Sequence, residues 1–302
     1  MDSVHSIKNI SELNQLLNQD KTKHPLLSVV DFSKVEHYGK EEGRMSADFY
    51  TLMFKSHCHN KIKYGREFYD FQEGTLICIA PNQVITLEKE DGNNKDAIGW
   101  GLFFHPDLLR GTALGARMKD FTFFSYEMNE ALHLSDKEKQ NLAEIVAKIE
   151  SELNENIDQH SQVLLVNTLE LLLNYCARYY DRQFITRKNT NSTVLSKFEN
   201  ILTEYFASGN LKENGLPSVK YCADKIFLSP NYLSDLLKKE TGKNSQELIH
   251  YQLIELAKNT LLSTDLPVSQ IAYDLGFEYP QYFSKLFKNK TGMTPGEFRS
   301  LN

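Results

Sequence analysis

Pro280-Gln281-Tyr282-Phe283-Ser284-Lys285-Leu286-Phe287-Lys288-Asn289-Lys290-Thr291-Gly292 reads as a short helix with two unlike faces. Phe283, Leu286 and Phe287 recur at the three- and four-residue intervals of one helical face. Tyr279, Gln281, Ser284, Lys285 and Lys288 fall outward. Fifty residues earlier stands an echo, Pro230-Asn231-Tyr232-Leu233-Ser234-Asp235-Leu236-Leu237-Lys238-Lys239-Glu240-Thr241-Gly242. Pro, Tyr, Ser, Leu, Lys, Thr and Gly coincide at that offset, seven positions of thirteen. A helix written twice in one chain points to one kind of contact made twice.

The echo extends upstream. Val219 pairs with Val268 and Ala223 with Ala272, now at an offset of 49. The second copy has therefore gained one residue in its turn, and that turn holds Gly276, which permits the positive φ a sharp bend needs. The small Ala223 and Ala272 let the two helices of each copy cross closely. Short helix, tight turn and second helix make the helix-turn-helix layout, whose second helix enters a major groove of DNA. A packing solenoid is the other reading, but it needs at least three repeats to bury a continuous core. Here two copies are joined by a segment of helical period at 245–262. A helix of ~18 residues spans ~27 Å, against ~34 Å for one turn of B-DNA. Two second helices held that far apart can meet adjacent major grooves on one face of a duplex.

With these residues in view, 193–302 resembles the DNA-binding domain of AraC-type (AraC/XylS) transcriptional regulators. The likeness is carried by Ile271-Ala272-Tyr273-Asp274-Leu275-Gly276-Phe277, by Tyr282-Phe283-Ser284-Lys285-Leu286-Phe287-Lys288, by Thr291-Gly292-Met293-Thr294-Pro295, and by Phe298-Arg299. It covers about a third of the chain. It implies two helix-turn-helix units on a rigid linker helix, an N-terminal regulatory domain often of cupin type, and frequent dimerisation. The fold class expected is α+β: an N-terminal cupin-like β-barrel or sandwich with following helices, then an all-α domain. The boundaries expected are 1–181 for the regulatory domain (β-rich 26–124, helical 135–180), 182–192 for a polar linker, and 193–302 for the DNA-binding domain.

By similarity to the family, Gln281 and Lys285 are the base-edge candidates, Gln suiting adenine and Lys guanine. Ser284 and Lys288 are assigned to phosphate, and Tyr282 to base, phosphate or packing. In the first copy Leu233, Leu236 and Leu237 are expected in the core. Asn231, Tyr232, Ser234 and Asp235 are expected to face out, followed by Lys238 and Lys239. Asp235 departs from the basic residue often found at its position. A carboxylate there is repelled by phosphate but can accept from a cytosine amino group; simple exposure to solvent is the other reading.

The bulk numbers are compatible with this but do not require it. The chain has 302 residues and a net charge of −6, which by itself argues against nucleic acid. The charge is uneven: from Thr193 onward there are 12 basic and 12 acidic residues, leaving 22 and 28 before it. Local field matters more than the whole-chain sum. The N-terminus shows no basic stretch followed by an apolar run, and no apolar run approaches the ~20 residues of a membrane span, so a cytoplasmic location is expected. Cys58, Cys78, Cys176 and Cys222 form no CxxC pair and are expected as reduced, mostly buried thiols.

Residues 6–19 have helical spacing. Phe49–Phe54, Thr75–Ala80, Val84–Leu87 and Ile98–Phe104 read as strands between Gly, Pro and Asn turns, and Pro106 opens a helical excursion. Ser135 with Glu138 is a capping-box pair ahead of a helix to about Asn154. A second helix, about Ser161–Tyr180, carries Val163, Val166, Leu169, Leu172, Leu173 and Cys176 on one side. These two helices are read as covering elements, as a dimerisation surface, or as both. Gly65–Thr75 and Ala80–Gln83 resemble the N-terminal region of a subgroup of the same regulators, as architecture and not as a site. His57-Cys58-His59 is the single metal-like feature: on a strand both histidines share a face, but Glu67, Glu73 and His105 complete no cupin-like set. No cofactor, metal or catalytic residue is expected. A metal-cupin-type enzyme with a DNA-binding tail is the alternative function. The partners expected are promoter DNA, RNA polymerase, an unidentified small-molecule effector and a second copy of the chain.

Overall fold

The computed structural model describes residues 4–19, 24–35, 43–57, 62–64, 67–69, 74–87, 98–127, 130–186 and 188–300. They form two compact units, Met1–Gln183 and Phe184–Asn302.

The first unit opens with β1 (Val4–Ile7) and α1 (Ile10–Leu16). The helical spacing of 6–19 is thus realised only from Ile10. Asn9 caps the helix, its side chain accepting from the Glu12 amide at 2.9 Å, and Ser6 and Ile7 pair instead with Ser46 and Ala47 in a parallel ladder. There follow β2 (Leu27–Asp31), β3 (Gly43–Ala47), β4 (Tyr50–His57), β5 (Ile62–Tyr64), β6 (Glu67–Tyr69), β7 (Thr75–Ile79), β8 (Ile85–Leu87) and β9 (Ile98–Phe104). After α2 (Ala113–Arg117) and β10 (Leu132–His133) come α3 (Asp136–Asn154) and α4 (Ser161–Thr186).

The strands make two five-stranded sheets, β1-β3-β8-β5-β6 and β10-β7-β4-β9-β2. Ile7, Met45 and Ile85 from the first share a core with Val30, Met53, Ile77 and Phe103 from the second. All five residues of β7 are buried, as a strand covered on both faces requires. In α3 the Ser135 amide donates to Glu138 at 2.8 Å, within the expected capping box. Arg182 of α4 reaches the same carboxylate with Nε at 3.1 Å and Nη2 at 2.9 Å. Leu165, Val166, Leu169, Leu172, Leu173 and Cys176 line the buried side of α4, whereas Val163 is 59% exposed. At 100° per residue Val163 lies well off the centre of that stripe, and Leu165 takes the place expected for it.

The second unit contains α5 (Lys188–Ala207), α6 (Asn210–Asn214), α7 (Val219–Ile226), α8 (Pro230–Thr241), α9 (Ser245–Ser263), α10 (Val268–Asp274), α11 (Pro280–Thr291) and α12 (Pro295–Ser300). The polar stretch 182–192 is helical on both sides of residue 187: α4 continues past Tyr180, and α5 begins before Thr193. That stretch contains neither Gly nor Pro to stop a helix, and Phe184 within it is buried.

The doubling seen in the sequence is present in the hydrogen bonds. Leu228 N–H donates to the Ala223 carbonyl at 3.1 Å, and Phe277 N–H to the Ala272 carbonyl at 3.0 Å, so both turns close alike. Phe227 and Gly276 therefore hold equivalent positions, with φ of 64° and 81°. The helix N-caps that follow are Ser229 and Tyr279, so the inserted residue is Glu278. Thr241 and Thr291 hydroxyls each donate back to the carbonyl four residues earlier, both at 2.8 Å. Asn244 with Glu247, and Thr294 with Glu297, form matching reciprocal caps. Each copy is thus three helices long, and the first part of α9 corresponds to α12. Arg299 closes the second copy onto the end of α9, donating from Nε to Leu261 O at 3.1 Å and from Nη2 to Leu266 O at 2.8 Å.

Candidate nucleic-acid interface

The helix α11 is held by its apolar side. Phe283 and Phe287 are fully buried and in ring contact at 5.7 Å, and Leu286 packs partly against the same core with Phe277 and Phe298. The other side is open. Gln281, Tyr282, Lys285, Lys288, Asn289 and Lys290 are exposed, Tyr279 before them is exposed, and Ser284 is half-buried. Gln281, Lys285 and Lys288 follow an i, i+4, i+7 spacing, which makes one stripe along the helix. The helix contains three lysines and no carboxylate. The neighbouring Glu297 carboxyl is held below the usual range by the Thr294 amide and hydroxyl first, with Lys288 adding to the effect.

The helix α8 carries the matching stripe of Asn231, Asp235 and Lys238. Asn231, Lys238 and Lys239 are exposed, and Asp235 is half-buried. Its charge is balanced: Lys238 and Lys239 against Asp235 and Glu240.

Two residues expected to face outward do not. Tyr232 is 6% exposed; its ring lies 5.0 Å from that of Phe184, the first residue of the second unit. Tyr282, its counterpart fifty residues on, is 60% exposed and meets Tyr279 edge-on at 5.8 Å. The difference lies in the partner, not in the helix position. Ser234 is half-buried, and its hydroxyl accepts from the Ser245 amide at 3.3 Å, which ties α8 to α9. Pro295 stands where Ser245 does in the first copy. Having no N–H, it cannot make that bond to Ser284, so the second hydroxyl is left for another partner.

Asn289 was not singled out by helix-face reasoning, although it is exposed and corresponds to Lys239 at the same offset. The repeat itself holds the signal that finds it. Lys290 likewise lies exposed at the end of α11. Together with burial it lowers the pKa of His250 on α9, burial being the larger cause.

In the first unit, His105 Nδ1 accepts from the Asp107 amide at 3.2 Å and caps the turn Pro106–Leu109. Among the described residues no group of three or more His, Cys, Asp or Glu could hold a metal ion. Cys58, His59 and Glu73 lie outside the described residues, as do the side chains of His57 and Glu67. Cys78, Cys176 and Cys222 are free and buried. Burial pushes the Cys176 thiol up to about 12 and that of Cys222 up to about 11, which favours the protonated form. Among the described residues no helix is long and apolar enough to cross a membrane.

A family model described as a helix-turn-helix domain matches residues 222–300. The chain is similar to the uncharacterized transcriptional regulatory protein YesN of Bacillus subtilis, at 40% identity over 111 residues, 36% of this chain and 28% of that protein. It is similar to the uncharacterized HTH-type transcriptional regulator YfiF of Bacillus subtilis, at 22% identity over 302 residues, 96% of this chain and 92% of that one. It is similar to the arabinose operon regulatory protein of Escherichia coli, at 28% identity over 144 residues, 47% of this chain and 46% of that one. The chain thus spans under half of two of these relatives and nearly all of the third. The reading as a metal-cupin enzyme gains no support from any of them.

Proposed function

We propose, from the premise that residues 222–300 are an AraC-type helix-turn-helix domain, that this chain is a sequence-specific transcription regulator which reads promoter DNA with α8 and α11 in adjacent major grooves. The observation that carries it is the pair of stripes, the exposed Gln281–Lys285–Lys288 and the partly exposed Asn231–Asp235–Lys238, set on equivalent helices at a fixed offset of fifty. The helix between them, α9, has 19 residues, ~28 Å at the usual rise, which suits two grooves one helical turn apart. Gln281 and Lys285 read base edges. Lys288, Lys238 and Lys239 meet phosphates, the Ser284 hydroxyl adds a phosphate contact, and Tyr279 and Tyr282 lie against the sugar-phosphate backbone at the start of α11.

Phosphate contacts position the domain and base contacts specify the site. On this reading α11 carries more of the affinity, because its charge is wholly positive, and α8 carries proportionally more of the discrimination. The N-terminal unit, with its two five-stranded sheets, is the regulatory part. It would respond to a small-molecule effector and bring two copies together, and RNA polymerase is the downstream partner. The test is footprinting of the purified chain on DNA upstream of its own gene and its neighbours, at low salt, with and without candidate metabolites. Protection of two blocks about one helical turn apart is expected. Absence of any protected site at low salt would overturn the reading.

A further inference from the structure

The two helix-turn-helix units are tied together twice. One tie is α9. The other comes from the start of the domain. The helix α5 packs on α7 and α8 of the first unit. Near its end, Tyr205 sets its ring edge-on to Tyr221 of α7 at 5.2 Å. Yet Tyr205 also belongs to the core of the second unit, with Ile271, Phe283 and Phe287. Its hydroxyl donates to the Gly215 carbonyl at 3.0 Å, which anchors the end of α6.

The helix α6 then inserts Leu211 into that same second-unit core. The Leu211 carbonyl sits directly over Gly276, in the turn between α10 and α11. A Cβ on Gly276 would stand 2.2 Å from that oxygen and 2.9 Å from the Gly215 Cα. Backbone is packed on backbone here, so only glycine fits the space; the positive φ, which Phe227 also adopts in the first copy, favours glycine further. Lys212 Nζ, 3.2 Å from Asp274 Oδ1, adds an exposed ion pair at the rim, a minor contribution. The equivalent turn position of the first unit is Phe227, 74% exposed, so this seat is built on one unit only.

We infer that the α5–α6 segment is a clamp that fixes the separation and tilt of α8 relative to α11, and so sets how many base pairs between two DNA subsites the domain accepts. Tyr205, Leu211 and Gly276 are its positioning residues, and all act through the recognition helices without touching DNA. The inference rests on the reading of α8 and α11 as the two DNA-contacting helices. Its physical basis is triangulation. A single connecting helix leaves the second unit free to twist about one axis, whereas a second tie at the α10–α11 turn removes that freedom. One inserted base pair moves a subsite by ~3.4 Å and rotates it by ~35°, a displacement that a rigid frame rejects and a loose one absorbs.

The test uses the full-length chain and the best duplex it selects from a random-sequence pool. Duplexes with one base pair added or removed between the two protected blocks are compared with the selected one, together with a duplex retaining only the α11 block. The native chain is expected to prefer the selected spacing by about tenfold, the scale of one good base contact. Tyr205→Phe keeps the ring and removes the bond to Gly215. Gly276→Ala forces the Leu211 carbonyl away. Each is expected to reduce the spacing preference about threefold or more, while changing affinity for the α11-only duplex less than about twofold.

A uniform loss across every duplex, or an unchanged spacing preference in Tyr205→Phe, would overturn the clamp. So would a native chain indifferent to spacing. Gly276→Ala can fail to fold, and the conservative Tyr205→Phe then decides alone. If the native chain selects no duplex at all, the DNA reading itself falls, which is a distinct outcome from binding without spacing control.

Discussion

Lys288→Ala and Gln281→Ala separate the two jobs assigned to α11. Both side chains are exposed on one stripe of the helix, so neither removal disturbs the Phe283–Phe287 core beneath. A lysine that neutralises one phosphate contributes about 0.9 to the slope of log affinity against log salt. Lys288→Ala should therefore flatten the slope by about that amount. Between ~50 and ~200 mM salt the gap between native and variant would then close by about 3.5-fold, and the loss would be the same for any sequence. Gln281→Ala should leave the slope alone and cost ~1–3 kcal/mol of discrimination at one base pair. The assay is fluorescence anisotropy with the selected duplex, its single-base variants and an unrelated duplex, at several salt concentrations. Parallel salt lines for Lys288→Ala would remove its phosphate role. Equal losses on selected and unrelated duplexes for Gln281→Ala would remove its base-reading role.

The two equivalent tyrosines should part company. Tyr232→Ala, which empties a buried site against Phe184, should cost ~3 kcal/mol of stability in urea unfolding; Tyr282→Ala should cost little stability and weaken DNA binding, and matched stability losses in the two would contradict the difference in burial. Arg299→Ala removes two bonds to carbonyls at and just past the end of α9 and should lower stability by ~1–3 kcal/mol. Arg299→Lys should recover only part of it, because lysine lacks the planar fork, and a full recovery would point to charge alone. His250 has a folded-state pKa below the ordinary 6.5, from burial first and Lys290 second. The unfolded chain therefore binds the proton more tightly, so stability is fully present above about pH 6.5 and falls as the pH drops below it. His250→Gln should flatten that acid limb in melts followed by helical circular dichroism, and an identical pH profile in the two proteins would exclude His250 as a contributor.

The helical third of the chain was legible because its signals are local. Caps at Asn244/Glu247 and Thr294/Glu297, prolines at the first helical positions and glycines after the last turns bracket α8, α9, α11 and α12 within a residue. What escaped depended on distant partners. Nothing in the neighbourhood of Tyr232 announces Phe184, forty-eight residues away, so a period-based reading places both repeat tyrosines alike. The short helix α6 lies between two glycines and carries a single core residue, Leu211, too little for a periodic signal. In the first unit β9 and β7 were recognisable as compact apolar runs. Ser6 and Ile7 were drawn into a helix by their spacing, because the pairing of β1 with β3 is a long-range event that Asn9 only hints at as a cap.

The inequality of the two copies follows from these same details. In the first copy, Tyr232 and Ser234 are engaged inside the domain, by Phe184 and by the Ser245 amide. In the second, Tyr282 is exposed, and Pro295 withholds the amide that would engage Ser284. Asp235 and Lys285 stand at one repeat position with opposite charge. The second helix of the first copy, α8, therefore leaves fewer polar groups open and carries no net charge, while α11 leaves more open and is wholly positive. If both helices dock, the second must hold the duplex largely by itself, and the first must rely on being delivered at the right place. A weakly attractive reader of that kind benefits most from a rigid connection to its stronger partner. In this domain the extra seat, Leu211 over Gly276, is found on the strong unit, with Tyr205 reaching back to the weak one.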